Sequence, residues 1–187
     1  MIRRIFRPSL PNFDSRPAIR ALLAQEDRAY HPAMAKKPRL FTIGYEKTPP
    51  APFLDEVSAA KIDLLVDVRA IAASRRPGFS KRQLAAELDT QGIGYLHLRG
   101  LGTPKDGRLA ARAGKMDELF HIYAAHLKTP QAREQMDELE SIVRSGRRVC
   151  LLCYERDAHH CHRQWIAEEI QRRTGATTTD LIVAPTI

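Results

Sequence analysis

The chain has 187 residues, 43% of them hydrophobic, with 30 Lys and Arg against 22 Asp and Glu, a formal charge of +8. That length suits one domain plus an extra segment, and the basic balance favours an anionic partner such as nucleic acid, a nucleotide or phosphate. No apolar run nears the ~18 residues that span a bilayer, no apolar signal block is visible, and the Cys are too few for a disulfide framework. A membrane partner is excluded on these grounds, and a reducing, cytoplasmic location is expected.

Residues 1–38 stand apart. They hold Arg3, Arg4, Arg7, Arg16, Arg20, Arg28, Lys36 and Lys37 among scattered Pro, with little periodicity beyond a short helical stretch over Ala18–Tyr30. They read as a basic N-terminal extension or arm. Met34 is an alternative start, so residues 34–187 are expected to fold without it.

From Leu40 the pattern alternates. Leu40–Tyr45 reads as a strand and Pro52–Ile62 as a helix. Asp63–Arg69 is a nearly continuous apolar strand, as buried parallel strands are. Ser80 and Gln83 form a capping box opening a helix over Lys81–Gln91, which stops at Gly92. Ile93–Arg99 is a strand and Lys115–Leu127 an amphipathic helix. Gln131–Ser145 follows Thr129 and Pro130 and ends at Gly146. Arg148–Tyr154 is a strand, His162–Thr174 a helix closed by Gly175, and Asp180–Ala184 a last strand. This order predicts residues 39–187 as one α/β domain, a three-layer α/β/α sandwich with a mainly parallel, Rossmann-like open sheet.

Three stretches carry chemistry. Asp67 and Arg69 share one side of a strand end, where an ion pair holds Arg69 for an anion, with Ser74, Arg75 and Arg76 in the next loop. A purely structural ion pair beside a solvated loop fits the same residues. Arg99–Arg108 is rich in Gly and basic residues, Lys105 included, but has neither a dinucleotide fingerprint nor a Walker spacing. It is either a ligand loop or a plain connection.

The third stretch is Cys150–Arg163, where a strand feeds a polar loop that opens a helix. Three mechanisms compete there. In one, Cys153 or Cys161 is a nucleophile whose thiolate Arg163, nearby His and the helix N-terminus stabilise. The spacing is not that of cysteine phosphatases: Cys153 to Arg163 is too long and Cys161 to Arg163 too short. In the second, the Cys residues and a His bind zinc. Cys150 and Cys153 fall on opposite strand faces, which argues against their being a joint ligand pair. In the third, Cys150 is a core residue and Glu155, His162 and Arg163 only cap the helix. His97, His121 and His126 read as structural or exposed.

Six blocks taken together resemble the "domain of unknown function 488" family of bacterial and archaeal proteins. They are Phe41–Glu46, Val66–Arg69, Ser74–Lys81, Gly92–Tyr95, Leu101–Lys105, and Leu151–Glu155 leading to Cys161-His162-Arg163. The resemblance spans about Leu40 to Ile170. It implies an α/β fold and a polar cluster from the Asp-Val-Arg, Ser-Arg and Cys-x-Glu…Cys-His-Arg segments, and it transfers no reaction. Two positions depart from the family: Ala72 where a Pro is common, and Lys47 where a Gly is common.

The expectation is a cytoplasmic protein with a polar site directed at a phosphate-bearing small molecule or nucleic acid, with cysteine-dependent catalysis as one form of it. The reacting groups are Cys153, Glu155, Cys161 and His162. The ligand-holding groups are Asp67, Arg69, Ser74, Arg75, Arg99, Lys105 and Arg163. No cofactor is named and no residue is assigned to a metal. Two alternatives remain. A non-catalytic nucleic-acid or nucleotide module requires a broad basic face and unperturbed thiols. A metal-binding or redox protein requires Cys153, Cys161 and a His to converge.

Overall fold

The computed structural model describes residues 37–183. The expectations for residues 1–36 and for Ala184 lie outside the described residues.

Five strands, β1 (Arg39–Gly44), β2 (Leu64–Asp67), β3 (Gly94–His97), β4 (Val149–Cys153) and β5 (Thr177–Leu181), form an all-parallel sheet in the order β3-β2-β4-β1-β5. Helix α1 (Pro50–Ala59) follows β1 and α2 (Lys81–Thr90) follows β2. Between β3 and β4 come α3 (Lys105–Arg112), α4 (Met116–His126) and α5 (Pro130–Arg144), and α6 (His162–Thr174) leads to β5.

Side-chain alternation sorts the core into two layers. Phe41, Ile43, Leu65, Cys150 and Leu152 pack with Phe53 and Val57 of α1 and Leu84 and Leu88 of α2. Leu40, Leu64, Val66, Val149 and Leu151 pack with Leu139 and Val143 of α5 and Ile166 and Ile170 of α6. Each buried aliphatic side chain contributes about 1.5–3 kcal/mol. The result is the expected α/β sandwich.

The adjacent strands β1 and β4 send their chains to opposite sides and opposite faces of the sheet. Their carboxyl ends therefore flank a topological switch point, where open sheets leave a crevice. Gly44 ends β1 there. A Cβ on it would lie 1.8 Å from the Glu155 carbonyl oxygen, so the chain leaving β4 crosses β1 only over a glycine. Gly102 does the same against Ala70, whose nitrogen would lie 2.1 Å from an added Cβ.

Several elements differ from expectation. Ser80 sits at the α2 N-cap position but makes no side-chain cap bond. Its hydroxyl donates to the Ser74 carbonyl at 3.2 Å instead, tying the arginine loop to the helix start. Of the stretch Arg99–Arg108 read as a loop, Lys105–Arg108 open helix α3, which runs to Arg112. The last strand begins earlier, at Thr177, as a polar edge strand paired with β1.

Candidate active site at the carboxyl edge of the sheet

Two clusters flank the switch point, one on each face. On the α1/α2 face, Arg69 grips Asp67 with both arms: Nε donates to Oδ1 at 2.8 Å and Nη2 to Oδ2 at 2.6 Å. Its Nη1 donates to the Tyr45 hydroxyl at 2.8 Å and to the Phe79 carbonyl at 3.0 Å. Tyr95 donates to the other side of Asp67 Oδ2 at 2.5 Å. Burial works against the Arg69 cation, but the bond and charge of Asp67 outweigh it and raise its pKa. Burial and the Asp67 charge raise Tyr95. Arg69 is thus held by protein acceptors in the expected ion pair with Asp67, and it also lines the cleft beside Cys153.

On the opposite face, Cys153 at the end of β4, Glu155 in the loop, and Cys161 and His162 at the start of α6 converge. Both thiols reach Glu155 Oε2, Cys153 Sγ at 3.2 Å and Cys161 Sγ at 3.1 Å. His162 Nδ1 lies 3.6 Å from Cys153 Sγ and 3.8 Å from Cys161 Sγ. Its Nε2 lies 3.0 Å from the Val68 carbonyl. A carbonyl only accepts, so Nε2 carries the hydrogen and Nδ1 faces the sulfurs. The ring of Tyr123 packs edge-on against His162 with centroids 5.4 Å apart.

Arg163, one residue on, is buried at 1% exposure. Its Nε donates to Thr42 Oγ1 at 3.1 Å, Nη2 to the Arg156 carbonyl at 2.8 Å, and Nη1 to the Glu155 carbonyl. Thr42 in turn donates to Asp180 at 2.7 Å. Among the described residues no carboxylate pairs with Arg163 directly. It is a cationic strut for the Glu155 loop, which corrects its expected place on an anion.

The cluster shares its protons unevenly. Bonding to Cys161, then burial, push the Cys153 thiol well up. Burial also opposes a Cys161 thiolate, yet the Cys153 hydrogen bond and the positive charges of His162 and Arg163 bring Cys161 well below the ordinary thiol value. Burial alone would lower His162, and the Cys161 thiolate and the Val68 bond raise it instead. Burial and the same thiolate raise Glu155. Cys150 lies apart on the other face of β4, raised by burial.

A cleft of about 410 Å³ lined by Cys161, His162 and Glu155 adjoins one of about 280 Å³ lined by Cys153, Glu155 and Arg69. Both are also lined by Thr103, Arg108, Arg112, Tyr154 and His162, so they read as one depression. Arg108 and Arg112 are four apart on α3 and share a face. Arg75 is exposed at the adjoining rim, with Tyr45, Arg112 and Tyr154. Ser74 binds the Arg76 backbone and Ser80 and acts within its own loop. Arg99 is exposed on a neighbouring shallow surface with Lys81 and Arg82, and Lys105 is exposed at the start of α3 outside the cleft lining. Sequence reasoning missed Arg112. Helical spacing from Arg108 was the available signal, hidden by reading this stretch as loop.

The sequence condition for a metal-binding or redox protein is met among the described residues: Cys153, Cys161 and His162 place their donor atoms within 4.8 Å of one another. Comparison with protein families matches residues 50–170 to the one described as "Domain of unknown function DUF488". No curated protein and no solved structure matches the chain.

Proposed function

The chain belongs to the DUF488 family, whose description names no activity, and we propose from the geometry that its cleft is a substrate site for a phosphate-bearing small molecule of nucleotide size. One observation carries this reading: Arg108 and Arg112 line the same cleft as Cys153, Cys161, His162 and Glu155. Guanidinium forks bind phosphate oxygens bidentately. Among the described residues the Arg112 guanidinium has no hydrogen-bond partner, whereas Arg108 donates from Nη1 to the Thr103 carbonyl at 2.6 Å. Tyr154, 43% exposed and set edge-on to Tyr45 at 5.3 Å, offers a ring for a base to stack on. The phosphate meets the arginines of α3, and the rest of the ligand reaches two sulfurs, an imidazole and a carboxylate. The cleft volume lies in the range of small-molecule sites.

Calorimetric titration with inorganic phosphate and with nucleoside monophosphates tests this. Binding should weaken with added salt. Arg112→Ala should weaken it roughly 10- to 100-fold, the loss expected for charge-assisted hydrogen bonds. Equal affinity in Arg112→Ala, or salt-independent binding, would remove the arginines from the site.

A further inference from the structure

We propose that Cys153, Cys161 and His162 form a zinc site, with Sγ, Sγ and Nδ1 as its three protein donors and the fourth tetrahedral position open toward the cleft.

The geometry comes first. Zinc bonds of about 2.3 Å to sulfur and 2.0–2.1 Å to nitrogen or oxygen at tetrahedral angles set donor atoms roughly 3.5 Å apart. The sulfur–nitrogen separations here are 3.6 and 3.8 Å, and the sulfur–oxygen separations 3.2 and 3.1 Å. The two sulfurs and the imidazole nitrogen lie within 4.8 Å of one another, and the Glu155 carboxylate borders both sulfurs.

The support around the donors matches what zinc ligands need. A ligating imidazole must present one bare nitrogen, and its other N–H is ordinarily fixed by a carbonyl or carboxylate. Val68 supplies that carbonyl from the neighbouring strand β2. The Glu155 loop is pinned by Arg163 and by its passage over Gly44. Charge also balances: two thiolates, a carboxylate and a dication sum to one negative charge, next to the buried Arg163 cation. The donors lie within residues 153–162, at the end of β4 and the start of α6, and Val68 of the β2 end supports them from a distant part of the chain.

Loading is a ligand exchange with no redox step. Two protons pass to water, the Cys153 S–H proton and the one shared between Cys161 and His162 Nδ1, and two Zn–S bonds form with the sulfur electron pairs. His162 keeps its Nε2 proton and donates the Nδ1 lone pair, and Glu155 stays beside the two sulfurs as their neighbour. The site makes no reference to the cleft's ligand, so its test stands apart from phosphate binding.

The full chain, purified under reducing conditions without chelator, should retain one zinc per chain by elemental analysis. Stripped with chelator and reloaded with cobalt(II), it should show thiolate-to-cobalt charge transfer and the visible bands of a tetrahedral centre. Cys161→Ser and His162→Gln should lose that signature. Glu155→Gln should weaken zinc about tenfold, the size of an outer-shell loss, and Cys150→Ala should keep full loading. Circular dichroism identifies any variant that fails to fold, and the stripped and reloaded wild-type chain decides the matter without variants. A wild-type chain that takes up no cobalt, a Cys161→Ser chain that binds as well as wild type, or a Cys153–Cys161 disulfide that persists in reductant would each overturn the proposal.

Discussion

Arg69 and Asp67 meet through two parallel hydrogen bonds, with 5% and 0% of their side chains exposed. A buried pair of this kind costs much to assemble and more to break, because the survivor keeps its charge without a partner. Asp67→Asn should destabilise the domain by about 3–5 kcal/mol. Arg69 stays charged in the variant, because an arginine guanidinium keeps its proton in proteins. The double variant Asp67→Asn with Arg69→Met should be less destabilised than the sum of the two single changes. Urea titration of the four proteins gives the coupling, and strict additivity would mean that the pair is not an energetic unit.

Gly44 and the Glu155 carbonyl make the second structural demand. Gly44→Ala sets a methyl group 1.8 Å from that oxygen. Either β1 or the Glu155 loop must move, at a cost of roughly 1–3 kcal/mol as for other overpacked sites. Because Glu155 touches both thiols, cobalt loading should fall with stability. A variant as stable as wild type would show the loop to be freely displaceable.

Lys47 has φ of 56°, in the left-handed region. An L residue is strained there by about 1–2 kcal/mol, and glycine is not. Lys47→Gly should stabilise by roughly 0.5–1 kcal/mol after the glycine's greater unfolded-state entropy is deducted. Calorimetry should show a midpoint higher by about 2–4 °C per kcal/mol, and a lower midpoint would mean that the lysine side chain makes a compensating contact.

The legible parts of the fold are those where local pattern and tertiary role coincide. Strands β2 and β4 are continuous apolar runs because both faces are covered, and α6 begins and ends where its residues predict. Helix α3 was hidden because Gly107 breaks its propensity. That glycine is used for packing, since a Cβ would lie 2.8 Å from Thr103 Cγ2. The opposite facing of Cys150 and Cys153 follows from strand alternation and was readable. The meeting of Cys153 with Cys161 and His162 was not, because it depends on how α6 docks against β4. The contact from His162 to Val68 joins residues 94 apart in the chain. Arg163 shows the same limit: its type suggests an anion, and only its burial shows that backbone carbonyls take its donors.

Glu169 gives the protein an acid-sensitive contact away from the cleft. It accepts from Arg172 Nε at 2.8 Å and from Arg173 Nε at 2.6 Å. The Arg172 bond foremost outweighs the opposing effect of burial and, with the Arg173 bond and both charges, holds its carboxyl down to about 2. A folded-state pKa below the unfolded one stabilises at pH above the unfolded value of about 4.3, and that contribution fades as pH falls toward 2. Glu169 lies near solvent, so screening limits the contribution to about 1 kcal/mol. The stability difference between wild type and Glu169→Gln should be present at pH 7 and vanish near pH 2, shrinking also in high salt. A difference that grows on acidification would reverse the assigned sign.

The three cysteines should separate by accessibility. Cys150 has no exposed surface and packs among Phe41, Ile43 and Leu152 on the α1/α2 side of the sheet. Cys153 and Cys161 are 4% and 6% exposed, and each lines the cleft. A limiting alkylating agent should therefore modify Cys153 and Cys161 in the metal-free native chain and reach Cys150 only on global unfolding, since a fully buried thiol reacts through opening of the core. Zinc bound between the two sulfurs should protect both by occupying their lone pairs. Peptide mapping after labelling with and without zinc reads all three positions in one experiment. Equal labelling of Cys150 in the native chain would contradict its burial, and labelling of Cys161 that zinc does not slow would contradict its place on the metal.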